Sequence, residues 1–457
     1  MVTTRKRHQT STDQSLSLSL FETFRLAWKD EDLRARLIFV IGVFAVFTLG
    51  VYIPVPIPGY STKDIAHAMN NTNGILFQLM STFGGGAIRR LSVFSLGLQP
   101  YITAQIIFQI LQSAIPAWKE EQKEGGEYAR QAMNRRIRLA TIILCVAQGF
   151  GFVGLFAQGL GPIAMSSKII IVTLWTCGAM FCLWLGEQIS ERGIGNGVSL
   201  MIFAGIIIAL PQTLGGIING LSNGVIAIWS VVLFVALFLV TTWVVVYFSV
   251  AQRQIPVQHM KRMQGTRSLG GQVNYLPLSV VMVGVIPIIF AIALIFMPVQ
   301  IAQVFPLHSK IQEFLIGVES YLNPGNPNAS LGLTLISSLI FVLIIGFFTY
   351  FYTAVQFDVD DMSDNLKRQG SFIPGMRPGK QTADFLNGVV SRLTLVGAVF
   401  LAAVSLVQFL APRICQLTSE PGASYIIGGT TLLILVQVAL DFMRQIEANL
   451  LMKQYGN

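Results

Sequence analysis

Three glutamines share one face of a predicted helix in the apolar residues 73–113, and their spacing indicates that this face does not meet lipid. Leu98, Ile102, Gln105, Gln109 and Gln112 recur at i, i+4, i+7, i+11 and i+14, which places them on one side of a helix. Because an unpaired amide in hydrocarbon costs several kcal/mol, this face must meet water or other protein. Two interpretations follow: a helix–helix contact joined by amide hydrogen bonds, or a channel wall with a dry aliphatic layer beside a wet funnel.

A short hinged segment precedes this face. The apolar residues 75–83 amount to about two helical turns, whereas a membrane span needs roughly 20 residues. Gly84, Gly85 and Gly86 follow, and a glycine triplet permits almost any backbone angle. We therefore expect a hinge between this segment and the glutamine-bearing helix.

The groups that catalysis or ion coupling would need are missing from the apolar spans. Asp, Glu, Lys, Arg and His stand at span ends, as Glu187, Arg392, Asp441 and Arg444 do. Ion-coupled transporters usually keep an ionisable relay inside the membrane. The sequence shows no Walker motif, no HExxH motif and no CxxC pair among its four cysteines. We expect no enzyme, no cofactor and no metal, but a passage without an energy source of its own.

The elements that must position these residues are membrane helices. Of the 457 residues, 53% are hydrophobic and only 12% are charged, whereas soluble domains carry about 25% charged residues. The apolar runs predict ten spans, at residues 33–53, 91–115, 137–160, 169–185, 198–218, 225–250, 276–297, 331–355, 393–410 and 425–442. The tails are residues 1–32 and 444–457, and the two large loops are residues 252–275 and 358–384.

The basic residues predict the orientation. Ten spans place both termini on one side, and most of the 31 Lys and Arg fall on that side. The positive-inside rule then puts both termini in the cytoplasm. The exceptions are Lys63, Lys168, Lys310 and Arg413, with Arg89 and Arg90 ambiguous beside the glycines.

The ten spans divide into halves of five, at about residues 33–220 and 221–443. Because five is odd, repeated halves would be inverted in the membrane. We find no convincing sequence match between the halves, so the repeat is a suggestion from parity alone.

Several long motifs resemble the SecY family, the central subunits of the bacterial protein-conducting channel. They are GLQPYITAQIIFQ, GEQISERGIGNGVS, YLPLSVVMVGVIPIIFA, DNLKRQGSFIPGMRPGKQTADFLNGVVSRLTLVGA and GGTTLLILVQVALDFM. The resemblance runs from about residue 39 to 454. It implies an all-α membrane protein with ten transmembrane helices in two pseudo-symmetric, inverted five-helix halves around a central pore, closed by a short plug helix.

The resemblance also implies a function and partners. The channel would pass unfolded secretory proteins and release transmembrane segments sideways into lipid. Its partners would be SecE, SecG, the motor ATPase SecA, the ribosome, signal sequences with their nascent chains, and anionic lipid of the bacterial plasma membrane. The alternatives are a secondary transporter of a small solute and a scaffold that only docks ribosomes.

Family positions can be transferred to the pore of this chain. The pore ring of the family matches Leu98, Ile102, Val198, Ile202, Ile289 and Ile434; the family often has Ile where Leu98 and Val198 stand, which bears on how tight the seal is. The alternative for the ring is ordinary core packing. The plug resembles residues 74–83, and a simple re-entrant segment is its alternative. The plug and hinge residues are Gly74, Ile75, Leu76, Phe77, Leu79, Met80, Phe83, Gly84, Gly85 and Gly86.

A lateral gate is expected between the second and third spans and the seventh and eighth. Pro100 and Pro287 each remove a backbone donor there, as gate features or as harmless kinks. The gate and funnel residues are Pro100, Gln105, Gln109, Gln112, Asn196 and Pro287.

The basic loops are the expected docking surface for SecA and the ribosome. Arg377 lies between two Pro/Gly turns, which would hold it outward, and ribosomal RNA would supply phosphates. The alternative is a solvated positive-inside loop. The docking residues are Arg253, Lys261, Arg262, Arg267, Lys367, Arg368, Arg377 and Lys380.

Overall fold

The computed structural model describes residues 20–56, 81, 84–160, 164–224, 226–259, 262–264, 267–269, 273–302, 309–325, 330–414 and 429–456. The helices there are α1 (Leu20–Lys29), α2 (Glu31–Tyr52), α3 (Gln99–Ala114), α4 (Pro116–Glu124), α5 (Gly126–Leu160), α6 (Met165–Arg192), α7 (Gly197–Ser222), α8 (Ile228–Val250), α9 (Ile286–Ala302), α10 (Lys310–Leu322), α11 (Leu331–Gln356), α12 (Val359–Arg368), α13 (Lys380–Ile414) and α14 (Gly429–Gly456). The strands are β1 (Gln252–His259), β2 (Arg262–Gln264), β3 (Arg267–Leu269), β4 (Val273–Ser279) and β5 (Ser371–Phe372).

Ten of these helices match the predicted spans: α2, α3, α5 to α9, α11, α13 and α14. Among the described residues, seven helices are long and apolar enough to cross a membrane, and α9 is a shorter apolar helix. Helix α1 packs on α2 and α14 through an apolar cluster that includes Ala27, Leu37 and Ile446. The first and last described helices, α1 and α14, therefore lie together, on what we call the terminal side.

Local sequence sets several helix starts. The Asp30 side chain accepts hydrogen bonds from the backbone N–H groups of Asp32 and Leu33, at 3.0 and 3.1 Å, and caps α2. Asn196, Ser330 and Asp358 cap α7, α11 and α12 in the same way. These side chains satisfy backbone donors that have no partner within the first helical turn.

The helix packing repeats between the two halves of the chain. In the first half α3 packs on α5, α5 on α6, α6 on α7, and α2 on both α6 and α7. In the second half α9 packs on α11, α11 on α13, α13 on α14, and α8 on both α13 and α14. Two five-helix units thus share one arrangement, and their odd helix number makes them inverted in the membrane.

The repeat also has a sequence signature in one segment of each half, although the sequence comparison found no convincing match between the halves. Residues 92–104 read SVFSLGLQPYITA and residues 279–291 read SVVMVGVIPIIFA. In each segment a left-handed glycine, Gly97 with φ 52° or Gly284 with φ 63°, stands two residues before the helix. The segments are tied alike: Val93 N–H donates to the Ile53 carbonyl and Val280 N–H to the Ala251 carbonyl, both at 3.0 Å. Each acceptor residue directly follows the preceding spanning helix.

Two expected helix starts were wrong by about two to three turns. The second span was expected from Leu91, but α3 begins at Gln99, after turns and a short 3₁₀ helix, Ile88–Arg90. The seventh was expected from residue 276, but residues 273–279 form β4, and α9 begins at Ile286. Residues 91–98 are mostly buried, and Leu278, Val281 and Val283 are buried in the second segment. Hydropathy does not reveal whether such a backbone is helical.

The two large loops are more regular than their composition indicated. Strand β1 pairs antiparallel with β4, and its end also pairs with β5 from the other loop, at Gln258 with Phe372 and His259 with Ser371. Residues 358–384 contain α12, β5 and the start of α13. The loops therefore join in one small sheet, order β4-β1-β5, on the terminal side.

Candidate functional site

The six predicted ring residues pack into one apolar cluster. Leu98 and Ile102 come from the start of α3, Val198 and Ile202 from α7, Ile289 from α9 and Ile434 from α14. Leu98, Ile202 and Ile434 are buried, and the other three are partly buried against them. Four helices from both halves thus place aliphatic side chains in one layer.

Two cavities lie on either side of this layer. A cavity of about 490 Å³ extends toward the terminal side, and one of about 30 Å³ lies on the opposite side, lined mostly by aliphatic residues. Ile102, Ile202 and Ile289 line both cavities. These three isoleucines therefore form the partition between a wide space and a narrow apolar one. We call the six residues the aliphatic layer and the wide cavity the funnel.

The glutamine face lines two cavities that are large enough to hold water. Gln105 and Gln109 line the funnel, and together with Gln112 they line a neighbouring cavity of about 260 Å³ between α3 and α5. Asn196 also lines the funnel, while its Oδ1 accepts a hydrogen bond from Ser199 N–H at 3.2 Å. The amides thus begin where the aliphatic layer ends, in the order read from the sequence.

The funnel wall also carries an ion pair that the sequence reading did not single out. Arg138 of α5 reaches Glu187 of α6, with 2.7 Å between Nη2 and Oε1, and both line the funnel. The two residues are 49 positions apart. Basic and acidic residues at span ends are common, so no sequence signal pairs them.

A close approach of glycine backbones shapes the α6–α7 turn. A Cβ added to Gly197 would collide with the carbonyl oxygen of Gly186, and Gly197 N–H donates to Ser190 Oγ at 2.8 Å. Gly195 in the turn has φ 95°. This explains why the GEQISERGIGNGVS stretch needs its glycines: they allow the turn to bring Asn196 and Val198 into the funnel wall.

Two polar contacts cross between the halves. Gln148 of α5 donates from Nε2 to Oε1 of Gln300 on α9 at 3.1 Å, and Gln148 is buried. The side chain of Gln109 on α3 lies beside the side chain of Tyr352 on α11. We call the contact of α3 and α5 with α9 and α11 the seam. Of these four residues only Gln109 was singled out from the sequence, although Gln148, an amide within an apolar span, was a signal of the same kind.

Pro100 and Pro287 do not kink their helices. Each is the second residue of its helix, α3 or α9. The backbone nitrogen has no acceptor within the helix in the first turn, so proline costs nothing there. Both prolines fix where the helix after the left-handed glycine begins.

The hinge glycines form a buried turn. Gly85 and Gly86 have φ 67° and 78°, and Gly86 N–H donates to the Ser81 carbonyl at 2.6 Å. A Cβ on Gly86 would lie 2.8 Å from Gln212 Oε1 of α7. The predicted plug residues Gly74, Ile75, Leu76, Phe77, Leu79, Met80 and Phe83 lie outside the described residues.

The predicted docking residues lie on the terminal side. Arg377 is exposed in a turn in which its carbonyl accepts a hydrogen bond from Thr382 Oγ1 at 2.9 Å, with Gly375 and Gly379 at φ 84° and 105°. Lys367 and Arg368 end α12, Lys380 begins α13, and Arg253 is exposed on β1. Lys261 lies outside the described residues, and of Arg262 and Arg267 only the strand positions are described.

The chain is similar to known proteins over almost its whole length. The SecY family model matches residues 92–443. Curated relatives named protein translocase subunit SecY include those of Haemophilus influenzae, 37% identical with 93% of each chain covered, and Escherichia coli, 38% identical with 93% of each covered. That of Staphylococcus carnosus is 37% identical over 95% of this chain and 99% of its own.

Solved structures share the fold at lower identity. A structure described as that of a protein conducting channel superposes with a TM-score of 0.65 at 20% identity, covering 91% of this chain and 92% of that one. Sec61 in a canine ribosome–channel complex gives 0.62 at 18% identity, with the same coverage. These likenesses support the ten-helix architecture in two inverted halves.

Proposed function

The chain belongs to the SecY family, and we propose that it forms the channel of a protein translocase. In this account it passes unfolded polypeptide across a membrane and releases apolar segments sideways into lipid. The observation that best supports this proposal is the aliphatic layer between two cavities, because Ile102, Ile202 and Ile289 line both cavities. An apolar constriction excludes ions by dewetting, yet its side chains can yield to a passing chain.

The seam is the proposed lateral gate. It is the contact between the helix pairs of the two halves, and the buried Gln148 donates a hydrogen bond across it to Gln300. Amide pairs in hydrocarbon contribute only about 0.6–2 kcal/mol, so they hold the halves together without locking them. When the seam opens, α3 and α9 lose apolar contacts with each other. A signal sequence that inserts between them supplies apolar surface in place of those contacts.

The orientation follows from charge. The terminal side carries the basic loops, so we propose that it is the cytoplasmic face of a bacterial plasma membrane. The halves would be residues 33–220 and 221–443, and the plug residues 74–83. SecE and SecG would complete the complex, and SecA or a ribosome would dock on the shared sheet of the two loops and on Arg377. Relatives of this fold include channels described in complex with ribosomes.

We propose that the energy for transport comes from a partner. Within the described residues no cluster of three His, Cys, Asp or Glu side chains could hold a metal ion. ATP hydrolysis by SecA would push the chain, and phosphates of ribosomal RNA would meet the loop cations in a salt-dependent contact.

Reconstitution tests the proposal. The chain is placed in liposomes with SecE, and SecA, ATP and a secretory precursor are added. We expect the precursor to become protected from protease only when SecA and ATP are both present. Uptake of a small solute driven by an ion gradient, with no precursor protected, would instead favour a secondary transporter and contradict the proposal.

A further inference from the structure

Helix α10 connects two helices of the proposed gate on the side opposite the termini. It follows α9, precedes α11, and packs on both. Because α9 leaves the terminal side and α11 returns to it, α10 lies at the far surface of the membrane protein. Nothing in the pore, the gate or the docking surface assigns it a role.

The face of α10 that packs on the protein carries buried polar groups beside Leu322, which packs on the apolar core of the second half. Gln312 is 8% exposed and Asn323, which caps the helix end, is 3% exposed. Between them Glu319 accepts a hydrogen bond from Asn323 Nδ2 at 2.7 Å, and Asn323 Oδ1 accepts one from Gly325 N–H at 2.9 Å. Burial raises the pKa of the Glu319 carboxyl, and the bond from Asn323 opposes that shift. These residues stand at i, i+7 and i+11, on one face.

An apolar stripe on α10 is left outside. Ile311, Phe314, Val318 and Tyr321 stand at i, i+3, i+7 and i+10, with Phe314 69% and Tyr321 65% exposed. A surface helix in water turns its apolar stripe toward the core and its polar face outward. Helix α10 instead buries Gln312 and Asn323 and leaves Phe314 and Tyr321 outside, which favours surroundings on the stripe side other than water.

The stripe continues a lipid-facing surface. Met297 and Ile301 of α9 are exposed just before α10, and Leu335 and Ile336 of α11 are exposed just after it. Since α9 and α11 cross the membrane, such side chains on their outer faces meet acyl chains. Tyr321 at the end of this surface matches the enrichment of tyrosine at membrane interfaces, and interfacial helices carry phenylalanine on their apolar face, as Phe314 does here.

We propose that α10 lies in the interface of the lipid leaflet opposite the termini, with the stripe of Ile311, Phe314, Val318 and Tyr321 toward the acyl chains. Interfacial helices of this kind sink about 5–10 Å into the boundary between headgroups and chains. Lys310 stands four residues before Phe314 and is exposed beside the stripe, so attraction to anionic headgroups would add to apolar burial. The helix would hold the far ends of α9 and α11 at a fixed depth. This proposal depends on the proposed function in one respect: it assumes that α9 and α11 span the membrane.

Spin labels on single cysteines test this placement. The full complex is put into liposomes after Cys177 and Cys415 are replaced by Ser, since Cys145 and Cys182 are buried. Labels are attached at Phe314→Cys, at its neighbour Glu313→Cys on the polar side, and at Leu335→Cys as a reference on α11. Collision rates with oxygen, which concentrates in lipid, and with a water-soluble nickel chelate are compared.

We expect the Phe314→Cys label to match the Leu335→Cys label in favouring oxygen, and the Glu313→Cys label to favour the chelate. A Phe314→Cys label that favours the chelate would overturn the proposal, as would one shielded from both reagents, which would mean a protein partner covers the stripe. If the Leu335→Cys label also favours the chelate, the membrane assignment itself fails, and with it the proposed channel.

Discussion

Ile202 shows what a single residue of the aliphatic layer is expected to do. It lines both cavities, whereas Ile206, one turn later on α7, is buried away from them. Ile202→Asn should leak ions without substrate, because an amide in the layer gives water a partner. The closed state would lose about 1–3 kcal/mol of apolar burial, a shift of roughly 5- to 150-fold in the open population.

Conductance of the purified complex in planar bilayers measures this leak. Ile206→Asn is the matched control, because it places the same group in the same helix outside the layer and should lower thermal stability without raising conductance. If the two variants conduct ions equally, Ile202 is not part of the barrier to ions.

Arg377 is the single residue on which docking is expected to depend. Its backbone is held by Thr382 and two left-handed glycines while its guanidinium stays exposed. Arg377→Glu should reduce SecA-driven precursor import several-fold, since a reversed charge repels the acidic surface that the arginine would meet. Folding should be unaffected because the Arg377 side chain is exposed.

Import into vesicles that contain equal amounts of channel checks this expectation. Arg192→Glu, which reverses another exposed charge on the terminal side, is the control and should import normally. Wild-type import by Arg377→Glu, or equal loss in both variants, would count against a docking role.

At the scale of elements, the turns before α3 and α9 share a Gly-x-x-Pro sequence, Gly97 to Pro100 and Gly284 to Pro287. Substitution of either glycine should lower the stability of the protein to a similar extent. Gly97→Ala and Gly284→Ala put a Cβ at positive φ, which costs roughly 1–2 kcal/mol. Both variants should therefore unfold at lower temperature in detergent. Gly388→Ala in α13 is the control: nothing lies within 4 Å of its added Cβ, and alanine favours helix over glycine. If only one of the two variants unfolded at a lower temperature, the two turns would not be equivalent.

The seam should close under a short cross-linker. Gln148→Cys with Gln300→Cys replaces two side chains that meet at 3.1 Å, so a bifunctional thiol reagent should join them and block insertion of apolar helices. Gln300→Cys with Val146→Cys is the control, because Val146 is exposed on another face of α5. A joined Gln148–Gln300 pair that still inserts helices would place the gate elsewhere.

The sequence predicted which stretches are helices better than where α3 and α9 begin. Span composition is a property of long windows, so α2, α7 and α11 were found within a few residues. The starts of α3 and α9 depend on left-handed glycines and strand pairing, which apolar residues such as Leu91 and Leu276 do not reveal. The cross-half partners Gln148 with Gln300 and Arg138 with Glu187 depend on how distant helices pack, and one sequence does not specify that.

At the scale of the whole molecule, the inverted repeat explains where the layer lies. Ile102 and Ile289 occupy the same place in the two Gly-x-x-Pro segments, five residues after Gly97 and Gly284. The repeat therefore brings one isoleucine from each half to the same depth, between the funnel and the narrow cavity. A constriction at the junction of the halves follows from this symmetry, and both halves can contribute to opening it.

The central claim is that a polypeptide passes through this layer, and photocross-linking from Ile289 tests it most directly. A secretory precursor is stalled midway by a folded domain in liposomes with SecE, SecA and ATP, while benzoylphenylalanine replaces Ile289, or Leu294 on the exposed side of α9 as control. The account predicts that the probe at Ile289 cross-links to the stalled precursor only with ATP, and that the probe at Leu294 cross-links to lipid. Import of the precursor without any cross-link from Ile289, or with equal cross-links from both positions, would contradict it.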